Sequence, residues 1–323
     1  MKTEQRRRVP LEDHCTWRIG CTAECAYFPE TVQDLVECVT SLNGSSQPFT
    51  VIGRGSNILF SSEGIEETLV FTTGLKSLSL FEEHATAQEL FGCLATSQDD
   101  AAHSVYCEAG VANAGLLAFS LEHSLGDVTA LTGVPGTFGG AVAMNAESIL
   151  NVMGERMWFA TVNRAGGETE IRHALDFDFG YRHCAVQQTI LAAVLLHMQP
   201  TDSARMRAFV ANRKAARMRS QPLEWPSAGC VFKNPEGDSA GALLDQIGMK
   251  GRRIGGAEYS HKHANFIINT GDATSSDVLE LMALGKRAVW DRFHVCLTPE
   301  IKFIGRFDLE LLEYVKCESL EGQ

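Results

Sequence analysis

The stretch Thr129-Ala-Leu-Thr-Gly-Val-Pro-Gly-Thr-Phe-Gly-Gly-Ala-Val-Ala-Met-Asn145 constrains this chain more than any other. Four glycines and one proline fall within the eight residues Gly133 to Gly140. Each glycine inside a helix or strand costs backbone entropy, so this density argues against the core of an element. Val134, Phe138 and the small apolar residues around them argue equally against a solvated turn, which would be more polar. What remains is backbone that touches something large and flat, or a phosphate. Without Cβ atoms, amides approach a ligand closely and form an anion-binding nest. The stretch reads as a cofactor loop.

A chain of 323 residues exceeds what one core usually fills, so two or three domains are expected. No apolar run approaches the roughly 20 residues that span a bilayer. The basic start, Met1-Lys-Thr-Glu-Gln-Arg-Arg-Arg8, has no apolar segment behind it and reads as a frayed, solvated end rather than a secretory signal. A cytoplasmic location is the expectation, with no membrane partner. A net charge of −12 argues against nucleic acid, whose phosphates need a basic surface. The cysteines at 15, 21, 25, 38, 93, 107, 184, 230, 296 and 317 form no C-x-x-C pair, as reduced thiols in a cytosolic protein would stand. No metal site is expected, and His261-Lys-His263 is a poor candidate because i,i+2 side chains diverge on a helix.

Apolar spacing at Val32, Leu35, Val36 and Val39 predicts a helix capped by Thr31. A strand from Pro48 then opens into a second glycine-bearing loop, Gly53-Arg-Gly-Ser-Asn57. Further strands are expected at Thr68–Thr72, Lys76–Phe81, Val105–Val111, Met157–Val162, Thr169–Ile171 and Thr189–Leu196. An apolar helix, Ala114 to His123, has Gly126 as its expected terminating residue. A basic helix runs from about Thr201 to Arg219, and Gln221-Pro-Leu-Glu-Trp-Pro226 breaks the chain after it. From there helix and strand alternate, at Gly241–Ile247, Phe266–Asn269, Ser275–Phe293 and Glu300–Ile304. Residues 306–323 read as a tail or a short added helix.

The ordered set Gly53-Arg-Gly-Ser-Asn57, Gly133-Val-Pro-Gly-Thr-Phe-Gly-Gly140, Gly180-Tyr-Arg182, Ser227-Ala-Gly-Cys-Val-Phe-Lys-Asn-Pro235, Lys262-His-Ala-Asn-Phe266 and Pro299-Glu-Ile-Lys-Phe-Ile-Gly305 resembles the UDP-N-acetylenolpyruvoylglucosamine reductases, flavin enzymes of peptidoglycan synthesis. The resemblance covers about residues 15 to 305, and the short spacing after Arg182 resembles the family's shorter subclass. It implies an α+β chain: an FAD-binding, oxidase-like part in two subdomains (1–80 and 81–200), a substrate-binding domain (201–305) and a C-terminal extension (306–323). No Rossmann motif is expected, and a G-x-G-x-x-G in a βα context is indeed absent from the sequence.

Two glycine surfaces of phosphate and ring size in one region favour a dinucleotide such as FAD. The resemblance assigns FAD to both, through Gly53, Arg54, Gly55, Ser56 and Asn57, and through Gly133, Pro135, Gly136, Thr137, Gly139 and Gly140. Asn145 is expected to fix the second loop or the flavin. NADPH is the implied co-substrate and UDP-N-acetylglucosamine enolpyruvate the substrate. The implied chemistry is hydride delivery from the FAD N5 to the vinyl carbon, then protonation of the enolate. That step completes UDP-N-acetylmuramate for cell wall biogenesis, cell shape and cell division.

Arg182 stands in a polar connection where an arginine is ordinarily a solvated charge; the resemblance makes it the group that stabilises developing negative charge. Cys230 departs from the family, which has serine there as proton donor. A thiol, with an unperturbed pKa of about 8.5, can do the same work and adds a liability to oxidation. A buried, inert thiol is the alternative. Glu300 opens an apolar strand, and the family uses the equivalent carboxyl beside the arginine. Tyr181, Lys233, Asn234 and Lys262 are expected substrate contacts; the arginines of the basic helix read chiefly as a solvated face, with phosphate contacts as the further reading. A monomer is expected. An FAD-linked oxidase of the same fold acting on another substrate, and a flavin-binding protein without turnover, stay open on the sequence.

Overall fold

The computed structural model describes residues 3–94, 103–126 and 128–319. Met1 and Lys2 of the basic start and residues 320–323 of the C-terminal extension lie outside the described residues. Along the chain run β1 (Glu4–Pro10), β2 (Thr22–Phe28), α1 (Val32–Gly44), β3 (Phe49–Ile52), β4 (Ile58–Phe60), β5 (Thr68–Phe71), β6 (Leu78–Leu80) and α2 (Ala85–Phe91). Next come β7 (Ser104–Glu108), α3 (Asn113–Glu122), α4 (Phe138–Ala143), α5 (Ile149–Met153), β8 (Met157–Val162), β9 (Thr169–His173), β10 (Phe179–Gly180), β11 (His183–Cys184), β12 (Ile190–His197) and α6 (Ser203–Ser220). The last are α7 (Ala240–Gln246), β13 (Arg253–Ile254), β14 (Ala257–Tyr259), β15 (Ile267–Asn269), α8 (Ser275–Phe293), β16 (Lys302–Ile304) and α9 (Leu309–Lys316). The fold is α+β. Among the described residues no helix is long and apolar enough to cross a membrane.

Two compact units share the chain. The first comprises Met1–Arg6, Cys25–Arg54 and Glu67–Ala215; the second comprises Arg7–Glu24, Gly55–Glu66 and Ala216–Gln323. In the first unit an antiparallel sheet has the order β6-β7-β12-β8-β9. Successive β12 residues enter different cores, because side chains alternate between the faces of a sheet. Val194 and Leu196 join Val105, Phe138, Phe159 and Leu131, whereas Ala193 and Leu195 join Tyr106, Phe91 and Ala160. Both faces are covered, so β12 reads as an unbroken apolar run. A second sheet, β1-β2-β5-β3, carries parallel β2–β5 and β3–β5 pairs. The α1 residues Leu35, Cys38, Val39 and Leu42 pack in one cluster with Val70 of that sheet. Thr31 caps α1 as its sequence predicts, its hydroxyl accepting from the Asp34 amide at 3.0 Å, an interaction worth about 1 kcal/mol.

The basic start is not a frayed end: Glu4–Pro10 is the edge strand β1. Its arginines are the charges that keep an edge from pairing further, and the Arg6 guanidinium lies 4.5 Å from the centre of the Phe28 ring. Ser124, not Gly126, terminates α3. It takes the left-handed conformation at φ 54°, and the Leu125 amide reaches back to the Ser120 carbonyl at 2.9 Å. Gly126 has a different reason to be glycine, since a Cβ there would stand 2.3 Å from the Thr201 hydroxyl.

The second unit holds the antiparallel sheet β13-β14-β15 and the parallel pair β4–β16. Helix α8 starts in a reciprocal cap between Thr274 and Asp277. The Tyr259 hydroxyl donates to the Leu281 carbonyl at 3.2 Å. The extension folds as α9 over Leu309–Lys316, and the fully buried Lys286 donates to the Val315 carbonyl at 2.9 Å and to that of Cys317.

Candidate active site

In the first unit Gly53, which opens the first glycine loop, approaches Thr137 of the second. A Cβ on Gly53 would stand 2.5 Å from the Thr137 hydroxyl, so a larger residue would have to displace that hydroxyl. Gly133 and Gly136 have φ of 73° and 107°, values that L side chains rarely adopt. Gly133, Pro135 and Gly140 are exposed. Bare, exposed backbone at a junction of two loops suits a flavin dinucleotide.

The stretch nevertheless contains an element that glycine density argued against. Phe138–Ala143 is the helix α4, capped by Thr137, whose hydroxyl accepts from the Gly140 amide at 3.3 Å. The reason is packing. A Cβ on Gly139 would lie 2.7 Å from the Ala109 Cβ and 2.9 Å from its carbonyl oxygen. The Gly139 amide donates to that same carbonyl at 2.9 Å, and the Phe138 amide to that of Val111 at 2.7 Å. Gly139 is there to bring helix and strand end together. Gly55, in the second unit, is comparable: a Cβ would lie 2.3 Å from the His14 carbonyl, and its own φ is 63°.

Asn145 anchors the chain beyond the second loop. It is 1% exposed and left-handed at φ 43°. Its Oδ1 accepts from the Leu150 amide at 2.9 Å, and its Nδ2 donates to Asn151 Oδ1 at 3.0 Å and to the Gly180 carbonyl at 2.9 Å. Gly180 ends β10 and, in the tight hairpin β10–β11, pairs with His183 across Tyr181 and Arg182. Arg182 is left-handed too, at φ 57°, and its guanidinium carbon lies 5.2 Å from the Tyr181 ring centre. Conformations of that kind in non-glycine residues persist where the surroundings enforce them. Asn145 is part of that enforcement. In the same region Glu147 forms an ion pair with Arg213 of the basic helix.

In the second unit Cys230 and Glu300 lie on adjacent segments. Cys230 bridges to Phe266, and Phe232 to Pro299. The Glu300 amide donates to the Val231 carbonyl at 2.8 Å, and the Lys233 amide to the Thr298 carbonyl at 2.9 Å. Gly229, just before the thiol, needs its φ of 81°. Asn57 meets the other side of Glu300. Its Nδ2 donates to the Glu300 carbonyl at 3.0 Å, and its own carbonyl accepts from the Lys302 amide at 3.0 Å.

Asn234 accepts from the Ala240 amide at 3.1 Å through Oδ1, at the start of α7. The Lys262 ammonium pairs with Glu224 at 2.9 Å, and that hydrogen bond holds the Glu224 carboxyl below its ordinary range. Lys233 is partly exposed and Tyr181 is 51% exposed. His263 is partly buried, which lowers its pKa, and its Nδ1 accepts from the Asn265 amide at 3.2 Å. From Lys262-His-Ala-Asn-Phe266, sequence reasoning singled out Lys262 and missed Asn265, which is 1% exposed and grips the backbone beside Cys230. The available signal was an asparagine inside the apolar run Ala264-Asn-Phe-Ile-Ile268.

Known proteins match over the same regions. Residues 23–154 fit an FAD binding domain, and residues 221–304 fit the C-terminal domain of UDP-N-acetylenolpyruvoylglucosamine reductase. The reductase of that name from Agathobacter rectalis is 34% identical over 301 residues, covering 92% of this chain and 93% of the relative. The one from Methylococcus capsulatus is 36% identical over 302 residues, covering 92% and 91%. The crystal structure of the Thermus caldophilus reductase superposes with a TM-score of 0.73 at 28% identity, covering 94% of this chain and 99% of that one. The matched domains take in the glycine loops and the Cys230–Glu300 segments, the relatives cover most of the chain, and the chain belongs to the family of UDP-N-acetylenolpyruvoylglucosamine reductases.

Proposed function

We propose that this chain reduces UDP-N-acetylglucosamine enolpyruvate to UDP-N-acetylmuramate, with FAD as bound cofactor and NADPH as reductant, in cytoplasmic peptidoglycan synthesis. One observation carries the reading most directly. Within the residues that match the reductase C-terminal domain, the backbone hydrogen bond from Glu300 to Val231 sets a carboxyl-bearing residue beside the segment of a candidate acid, Cys230.

The residues proposed to hold FAD are Gly53–Asn57 and Gly133–Gly140. Their meeting at Gly53 and Thr137 and the exposed backbone of Gly133 and Gly140 in the second loop fit that group. When bound, FAD supplies the hydride chemistry. The protein's own residues do the rest. Arg182, fixed on a tight turn, stabilises negative charge that develops on the enolpyruvyl group. Cys230 donates its thiol proton to the carbon next to the carboxylate, and Glu300 supports the enol form. Lys233, Asn234, Lys262 and Tyr181 are proposed contacts to the anionic substrate. Lys262 makes such a contact by exchanging Glu224 for substrate. Residues 1–80 and 81–200 as flavin-binding subdomains, 201–305 as substrate domain and a monomeric state belong to the same reading.

The test is an anaerobic titration. Bound flavin is bleached with NADPH, excess reductant is removed, and UDP-N-acetylglucosamine enolpyruvate is added. Return of the oxidised band establishes the reductase; flavin that bleaches and stays reduced points to an oxidase-like enzyme of another substrate. Cys230→Ser keeps an acidic hydrogen in place and retains turnover, whereas Cys230→Ala loses it. Equal turnover in both variants would remove the thiol from the mechanism.

A further inference from the structure

We infer that Asn265 is a positioning residue for this reaction, setting the register of the segment that carries Cys230; the inference rests on the proposed roles of Cys230 and Glu300. The segment from Cys230 to Lys233 runs between two others. On one side the Glu300 amide and the Thr298 carbonyl bond to Val231 and Lys233. On the other the Val231 amide donates to the Asn265 carbonyl at 2.9 Å, and Cys230 bridges to Phe266.

Phe232 is where this arrangement depends on a side chain. Its amide donates to Asn265 Oδ1 at 3.0 Å, and its carbonyl accepts from Asn265 Nδ2 at 2.8 Å. A neighbouring strand would supply both bonds from its backbone; here one carboxamide, with donor and acceptor side by side, supplies them. Phe232 is fully buried and Asn265 nearly so, too deep for bulk solvent to take over these bonds. Through its carbonyl and both side-chain atoms, Asn265 therefore holds the two residues after Cys230. Val231 in turn accepts from Glu300, so the same grip passes to the carboxyl-bearing residue. Losing it leaves two buried main-chain groups without partners. The segment then shifts to satisfy them, and the thiol shifts with it.

Asn265→Leu removes donor and acceptor at nearly constant volume, and Asn265→Asp keeps the acceptor while setting a carboxylate against the Phe232 carbonyl. Displacing a reacting group by about 1 Å costs on the order of 100-fold in rate. The expected result is a loss of that order in reoxidation of NADPH-bleached flavin by UDP-N-acetylglucosamine enolpyruvate. The loss falls on kcat rather than KM, and the bleaching step with NADPH is spared. Site-resolved iodoacetamide labelling, read by peptide mass spectrometry, gives a measurement independent of turnover: Cys230 labels several-fold faster in both variants, and Cys317 does not. Where Asn265→Leu fails to fold, Asn265→Asp decides. Reoxidation and labelling at wild-type rates in a folded variant, while Cys230→Ala and Glu300→Gln are slow, would overturn the positioning role. Wild-type reoxidation in Cys230→Ala and Glu300→Gln would instead remove the catalytic reading, and the inference with it.

Discussion

The Nδ2 of Asn57 donates to the carbonyl oxygen of Glu300 at 3.0 Å, and the Asn57 carbonyl accepts from the Lys302 amide at the same distance. The residue at the end of the first glycine loop thereby holds the backbone of the candidate catalytic glutamate. It stands directly before the register in which β4 and β16 pair, Ile58 with Lys302. Asn57 has a structural duty whether or not it also meets the cofactor.

Asn57→Ala is therefore expected to weaken the apoprotein itself. Loss of one side chain to backbone hydrogen bond amounts to about 1 kcal/mol, read as a lower urea midpoint at unchanged slope. Enolpyruvyl-dependent turnover falls with it, because Glu300 loses an anchor. An apoprotein of unchanged stability that binds flavin more weakly would assign the amide to the cofactor alone.

Two neighbouring glycines should behave oppositely. Gly139→Ala forces a methyl to within 2.7 Å of Ala109 and 2.9 Å of its carbonyl oxygen, in a buried contact between α4 and the end of β7. Overpacking of this kind costs about 1–3 kcal/mol. Gly140 is exposed, its nearest neighbour for a Cβ is the Thr137 hydroxyl at 3.4 Å, and its φ is not in the left-handed range. Alanine there costs the helix nothing and can add about 0.5–1 kcal/mol. If Gly140 lies against the flavin, Gly140→Ala gives a stable apoprotein with weakened flavin affinity. Calorimetry of the apoproteins and fluorescence titration with FAD separate the two effects.

That contrast also shows what could be read in advance. The glycine stretch marked the right region, but the sequence cannot distinguish a glycine that opens backbone to a ligand from one that lets a helix touch a strand. Gly139 and Gly140 look alike until Ala109, thirty residues earlier, is in place. Helix α8 was legible end to end, since Thr274 and Asp277 form a local cap and its apolar residues recur at helical spacing. The strand β1 was not, because it is held by pairing in a sheet rather than by any local signal among three arginines. Asn265 escaped for the same reason. Its two partners are both the backbone of Phe232, 33 positions away, and backbone has no sequence signature.

Glu108 gives the fold a pH dependence of defined sign. It is 3% exposed on β7, and burial is the main cause that raises its pKa above the ordinary 4.5, against the Ser77 amide at 2.9 Å and the Tyr106 hydroxyl at 3.2 Å. His84, stacked on Tyr106 at 4.7 Å, also opposes the rise, while burial first and the Glu108 charge second push the neighbouring Cys107 thiol upward. The folded chain thus holds this proton more tightly than the unfolded chain does. Its stabilising contribution is complete below the unfolded pKa and is lost as pH rises through the folded one. Glu108→Gln cannot ionise, so its urea midpoint should fall less than the wild type's as pH rises from 4.5 upward. The two midpoints converge toward the acid end of that range. A variant that tracks the wild type in parallel across the range would place the pH dependence on other groups.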